Sequence, residues 1–455
     1  MILPRRVALL LLAICPVDAY AAETWPLREN GPPSALTFSG SMRLRYETLG
    51  GQSRAGLSAN DQLVSLRTTL FAQYDPGWLR YGAEIYDSRA YAGDAEGAAS
   101  TNDVNALELV QAYTAFDLAD VLGHGVMTSL EAGRFTLDLG SRRLVGANQY
   151  RNTVNAFTGL RADVATPGGM SATLLYTLPH NNRPDDKASI LDNAVAWDRE
   201  SFDLVLLGGI LTKPNAIADT AVEFTYLHLG ERDAPGRPTR NRQLDTAGLR
   251  LIRTAQPGAF DYETEGFYQF GTIRDGFTPD AALRDVAAAF VHADVGYMFS
   301  TAWTPRLSIQ ADYASGNGSG RNYNRFDTLF GTRRADLGPS GIYGETGRSN
   351  IVTPAIRIEA RPSARFDWFA NYRLMWLASA IDPFSTTGVH DESGQSGRFA
   401  GQQIEARLRY WVIPYALQFE ADAVWLIKGR FLREAPNAPA TGNTQYLSLN
   451  LTAFF

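Results

Sequence analysis

In "QIEARLRYW", residues 403–411, polar side chains fall on every second position: Gln403, Glu405, Arg407 and Arg409. The intervening Ile404, Ala406, Leu408 and Tyr410 are apolar or aromatic. A guanidinium stays ionised at any useful pH and grips a carboxylate through two parallel donors. On an extended chain, side chains two residues apart stand about 6.6–6.8 Å from one another. That spacing suits successive charges on an extended polyanion, and equally suits bracing of Glu405 and neighbouring acids. The chemistry on offer is fixed charge, used either to select an anion or to hold a wall together.

A period of two marks a strand with unlike faces, and the same pattern recurs along the chain. "TFSGSMRLRYE" sets Phe38, Met42, Leu44 and Tyr46 against Ser39, Ser41, Arg43 and Arg45. "LVSLRTTLFAQY", "TGLRADVA", "SATLLYTL", "TAGLRLIR", "RLSIQADYA", "AIRIEA" and "LQFEADAVW" behave alike. Segments of roughly ten residues alternating in this way are the signature of transmembrane barrel strands. About eighteen are present, an even number as bacterial single-chain barrels require. The connections agree. Short turns such as "DPG", "TPGG", "QPG", "RPSA" and "VIP" alternate with long ones such as "RAYAGDAEGAASTND" and the stretch at about 315–350. Short periplasmic turns and long external loops are the rule for outer-membrane barrels.

The ends of the chain point to the same compartment. "MILPRRVALLLLAICPVDAYAAE" has a basic start, a short apolar run and a small-x-small site at Ala19–Ala21, the layout of a secretory signal peptide over residues 1–21. Residues 22–455 then form one barrel domain. Elsewhere in the 455 residues no run reaches the ~18 consecutive apolar residues of a spanning helix. Cys15, the sole cysteine, leaves with the signal, which excludes disulfides, thiolate metal sites and a cysteine nucleophile. Trp78, Tyr81, Trp368, Tyr372, Trp376, Tyr410, Trp411 and Trp425 sit in or beside strands, as interfacial girdles do. The chain closes on Phe455 behind alternating Leu447, Leu449 and Leu451, resembling the assembly signal of outer-membrane proteins. The expected fold is all-β, a transmembrane antiparallel barrel in the bacterial outer membrane, in contact with its lipid.

An arginine on the lipid face would cost ~2–4 kcal/mol at mid-depth, so the charged faces must line the lumen. Two arrangements satisfy them: arginine–carboxylate ladders bracing a plugged barrel, or arginines facing water and drawing an anionic solute, as charge rings do in pores. Of 42 basic residues only Lys187, Lys213 and Lys428 are lysine, which favours bidentate pairing. A net charge of -6 gives no reason to expect nucleic acid. No G-x-S-x-G, HExxH or P-loop occurs. His292 and Asp294 share a face, either as a pair or, more in keeping with a lumenal wall, as polar residues each satisfied by other neighbours. The expectation is a channel rather than an enzyme, with no cofactor and no metal.

"EIYDSRAY", "ELVQAYTAF", "GRFTLDLGSRRLVGANQYRNTVNAFTGLR", "FDYETEGFYQFG", "ADYASGNG", "FDTLFGTRR", "GRSNIVTPAIRI" and "QQIEARLRYWVIP" together resemble the bacterial outer-membrane alginate exporter family. The match keeps segment order over nearly the whole mature chain, and the block from Gly133 to Arg161 is its most specific part. The resemblance implies a monomeric barrel whose arginine-rich constriction passes an anionic polysaccharide, a polyuronate. It carries over to Arg67, Arg134, Arg161, Arg357, Arg407 and Arg409 as pore arginines. Glu84, Asp163 and Glu359, together with Glu405, are the bracing acids. Export would bring a periplasmic scaffold protein as partner. The alternative is uptake of small anionic nutrients such as uronate oligomers or aromatic acids.

Overall fold

The computed structural model describes residues 35–334 and 336–455; the signal peptide read at 1–21 lies outside the described residues. Eighteen strands form one sheet. The first six are β1 (Leu36–Gly50), β2 (Asp61–Tyr74), β3 (Leu79–Tyr91), β4 (Asn105–Ala119), β5 (Met127–Thr136) and β6 (Ala156–Ala165). Then follow β7 (Ser171–Pro179), β8 (Leu204–Ile217), β9 (Thr220–Glu231), β10 (Gln243–Arg253), β11 (Ala259–Arg274) and β12 (Leu283–Met298). The last are β13 (Arg306–Ala314), β14 (Ile351–Ser363), β15 (Phe366–Trp376), β16 (Phe399–Ile413), β17 (Leu417–Lys428) and β18 (Thr444–Phe454). Each strand pairs antiparallel with its sequence neighbours, and β18 pairs with β1, so the sheet closes without an edge. At the seam Gly40 and Phe455 exchange backbone hydrogen bonds of 2.7 and 3.0 Å. A Cβ at Gly40 would collide with the Phe455 ring.

The faces are those of a membrane barrel. On β16 the apolar Ile404 (42%), Leu408 (39%) and Tyr410 (43%) are exposed, while Glu405 (3%) and Arg407 (5%) are buried. Water outside would reverse this arrangement; lipid outside requires it. Connections at one end are short, including residues 218–219, 364–365 and 414–416. Those at the other are long, including 137–155, 180–203, 315–350 and 377–398. The long-loop end is external by the rule above.

The lumen is narrowed by two external loops that fold into it. Residues 137–155 and 315–350 meet through a parallel bridge, Val145 with Phe330, with Phe330 N–H donating to Leu144 O at 2.9 Å. Gly331 permits the approach, since a Cβ there would run into the Arg143 carbonyl. Leu144, Val145, Phe326, Phe384 and Phe431 bury themselves in one apolar cluster with wall residues Phe157 and Phe290. The rings of Phe290 and Phe326 stack at 5.5 Å. Burial of this apolar area holds the plug at roughly 25 cal/mol per Å2.

Candidate functional site in the lumen

The predicted pore arginines all face inward, and their partners differ in kind. Arg407 and Arg409, on β16, converge on one acceptor: Asp367 of β15 takes Arg407 Nη2 at 2.9 Å and Arg409 Nε at 3.1 Å. Register explains it, because Asp367 stands directly opposite Arg409. Arg407 lies over the Phe369 ring at 4.8 Å, and Arg357 of β14 lies over the same ring at 3.9 Å. Arg357 Nε contacts Glu359 at 2.9 Å, and Glu359 also meets Arg306 at 3.5 Å. Arg306 continues the ladder to Asp261 and Asp294, each at 2.5 Å. Arg357, Glu359, Arg407 and Arg409 thus belong to one braced wall.

The others stand apart from it. Arg161 pairs with Asp163 two residues along β6 at 2.7 Å. Arg134 reaches Glu108 at 2.5 Å and Glu200 at 3.2 Å. Arg67 of β2 faces Arg43 of β1 directly across the register, a like-charge placement that is unfavourable without shared acceptors. The plug loop supplies them: Arg67 donates to Gln149 O at 2.8 Å and Arg151 O at 3.0 Å, and Arg43 to Arg151 O at 2.7 Å. Two predicted bracing acids have other neighbours. Glu84 accepts from Gln111 Nε2 at 2.5 Å, and Glu405 Oε1 is buried without a hydrogen bond. His292 pairs with Asp312 of β13 at 2.7 Å rather than with Asp294, because the cross-strand partner is nearer than the next residue on the same face.

His292, Asp312 and Asp336 bring ligand atoms within 4.8 Å of one another. Asp336 already receives Arg143 through Nε at 2.8 Å and Nη2 at 3.0 Å, and Arg348 as well. Two guanidiniums on that carboxylate oppose a cation there. Asp336 instead ties the 315–350 loop to Arg143, which itself pairs with Glu263 and Glu265 of β11.

Among the loops lies a cavity of about 760 Å3, lined by residues of both plug loops and of several other external connections. Arg151, Arg237, Arg240, Arg242, Arg325 and Arg333 line it, against the acids Glu231 and Asp327. Arg242 is neutralised by Glu231 at 2.7 Å and Asp327 at 2.8 Å, and Arg325 by Asp382 at 2.5 Å. Arg240 is held by neutral groups, the Tyr323 hydroxyl at 2.9 Å and Arg274 O at 2.8 Å. Among the described residues, the hydrogen bonds of Arg151 and Arg333 likewise run to amide and carbonyl oxygens. Burial, with the Arg333 charge adding to it, pushes the Arg151 guanidinium down to about 10. The lining is therefore positive beyond what its acids offset. Strand periodicity could not disclose these residues because they sit in loops. Their only sequence signal is arginine density in "RPTRNR" and "GTRR".

The fold has solved counterparts among Pseudomonas aeruginosa outer-membrane channels. OccK8 (OprE) aligns over 92% of this chain and 98% of its own at TM-score 0.57 and 12% identity. OpdK aligns over 92% and 99% at TM-score 0.55 and 10% identity. OccK2 (OpdF), solved in complex with glucuronate, aligns over 92% and 96% at TM-score 0.55 and 10% identity. No curated protein matches the chain. A family profile described as alginate export covers residues 34–444, nearly the whole chain. By that match, and with an eighteen-stranded barrel that places it in the bacterial outer membrane as a porin, the chain belongs to the alginate export family.

Proposed function

We propose that the protein is a passive, anion-selective porin that lets an alginate-like polyuronate, or oligomers of it, leave the cell. The observation that carries this reading is the cavity lining, where arginines outnumber acids and several bond only to neutral oxygens. Charge of one sign in a low-dielectric mouth concentrates counter-ions of the other. The wall arginines add a second, mostly neutralised layer nearer the periplasm, including Arg357, Arg407 and Arg409. Family membership supports export. The barrel works as a monomer in lipid, takes a periplasmic scaffold as its partner in export, and carries out no enzymatic step.

Planar bilayers test this. Reversal potentials should report anion preference, and oligouronates should block current. Block should fade with salt, since the Debye length falls from ~10 Å at 0.1 M to ~3 Å at 1 M. Cation preference in the wild type would end the proposal. A second reading, uptake of small sugar acids, is favoured by the cavity's position among the external loops and by the glucuronate bound to OccK2. Block by monomeric glucuronate from the external side alone would favour uptake. Block by long oligouronates from the periplasmic side would favour export.

A further inference from the structure

A buried guanidinium whose hydrogen bonds run to neutral oxygens is not directly paired with a counter-charge, and unpaired buried charge is costly. Arg151, from the 137–155 loop, donates to the Asn102 and Asn155 side-chain oxygens. Arg333, from the 315–350 loop, donates to the carbonyls of Pro339 (3.3 Å), Thr346 (3.2 Å) and Tyr343. Both line the cavity, and burial weakens the hold of each on its proton, helped by the Arg333 charge at Arg151 and by the Arg54 charge at Arg333. Beside them the cavity is lined by Ser340, whose Oγ is buried (residue exposure 4%) and makes no hydrogen bond. Arg348 also lines it, with a buried Nε that has no acceptor. Unpaired donors at Ser340 and Arg348, beside two guanidiniums whose charge is only partly offset, describe a place that an acceptor-bearing anion would complete.

We infer that Arg151, Arg333 and Ser340 form a carboxylate subsite where the two plug loops meet, one that takes the acid group of a sugar acid. This deepens the anion-porin reading and rests on it. Glu345, close to Arg333, and Asp103, close to Arg151, each offset part of the charge. What remains suits a monoanion better than a dianionic phosphate. Tyr323 and Phe330, half-buried on the same lining, offer apolar surface for a pyranose ring. The volume, about 760 Å3, falls within the ~300–1,000 Å3 of small-molecule pockets. Because the subsite is shared between loops, a bound acid draws Arg151 and Arg333 toward one charge and holds the plug in its closed form.

The test uses the full-length protein in detergent, titrated calorimetrically with glucuronate, glucose and inorganic phosphate, alongside reversal potentials in bilayers. The wild type should bind glucuronate, bind phosphate more weakly and ignore glucose. Ser340→Ala removes a hydroxyl that bonds to nothing in the plug, so a structural role predicts no change. The subsite predicts roughly tenfold weaker glucuronate binding, the order lost with a hydrogen bond to a charged group. Arg151→Gln with Arg333→Gln should abolish binding, while Arg151→Lys, which keeps the charge but loses the fork, should retain part of it. Unchanged glucuronate binding in Ser340→Ala and in the double variant, with anion selectivity intact, overturns the subsite and leaves the porin reading standing. Phosphate binding as tight as glucuronate overturns the carboxylate assignment. Cation selectivity in the wild type removes the reading beneath both.

Discussion

The Tyr150 hydroxyl, carried inward by the 137–155 loop, donates to Asp422 Oδ2 of β17 at 3.1 Å. The guanidiniums of Arg45 and Arg334 lie 4.0 and 3.9 Å from its ring centroid. Groups that close cannot share a face, so the ring is clamped on both sides. Each such contact is worth ~0.5–2 kcal/mol, and the bond to a carboxylate ~1.5–3 kcal/mol. Tyr150→Ala should free the loop tip, raising single-channel conductance and adding flicker without loss of barrel assembly. Tyr150→Phe should show a smaller effect. Unaltered conductance in the alanine variant would mean the loop is held elsewhere.

Arg407 and Arg409 share Asp367, so reversing both charges places three acids together on one wall. Anion selectivity should fall in the Arg407→Glu, Arg409→Glu double variant, because the ladder becomes a negative patch. Folding should survive, since lumenal positions tolerate charge better than lipid-facing ones. The loss should be smaller than that from replacing Arg151 and Arg333 with glutamine, whose bonds run to neutral oxygens alone. Reversal potentials of the two double variants, measured in the same salt gradient, decide the ranking.

Deleting Phe455 removes both backbone bonds that join the chain end to Gly40. The chain then ends on Phe454, so the terminal aromatic moves to the opposite face of the extended chain. Less protein should reach the outer membrane, read as a lower fraction of heat-modifiable barrel on gels. Gly40→Val should act in the same direction, because its side chain would collide with the Phe455 ring. Normal surface levels of both variants would count against closure at this seam.

Asp198, in the external 180–203 loop, is held by Arg183 N–H at 2.8 Å and Asn105 Nδ2 at 3.0 Å. Burial, and then the neighbouring Glu108 charge, push its carboxyl up to about 7. An ordinary aspartate titrates near ~4, so the docked loop binds more protons than the undocked one between these values. Docking is therefore strongest below about pH 4 and weakens as pH rises through about 7. Hydrogen exchange of amides in residues 183–198 should accelerate across that window, and Asp198→Asn should flatten the dependence. Exchange that stays level in the wild type would contradict this.

Much of the fold was legible in local order. Side chains of a strand alternate by geometry, so Glu405, Arg407 and Arg409 had to share a face, and the cost of arginine in lipid sends that face inward. Loop lengths and the terminal strand needed only counting along the chain. Partners were another matter. Whether Arg407 meets Glu405 or Asp367, and whether His292 meets Asp294 or Asp312, depends on cross-strand register. A period of two carries no information about register.

The loops lay further from reach. The stretch at about 315–350 reads as a long external connection, yet it and residues 137–155 turn inward and bring Arg333 and Arg151 to one cavity. Nothing local dictates that course. It follows from apolar burial of Leu144, Val145 and Phe326 against Phe157 and Phe290, residues far apart in the chain. The sequence by itself determined strand number, membrane face and the charged character of the inward face, because these follow from short-range periodicity and solvent cost. Only tertiary structure decided which arginines are neutralised, since a counter-charge is a neighbour in space and not along the chain.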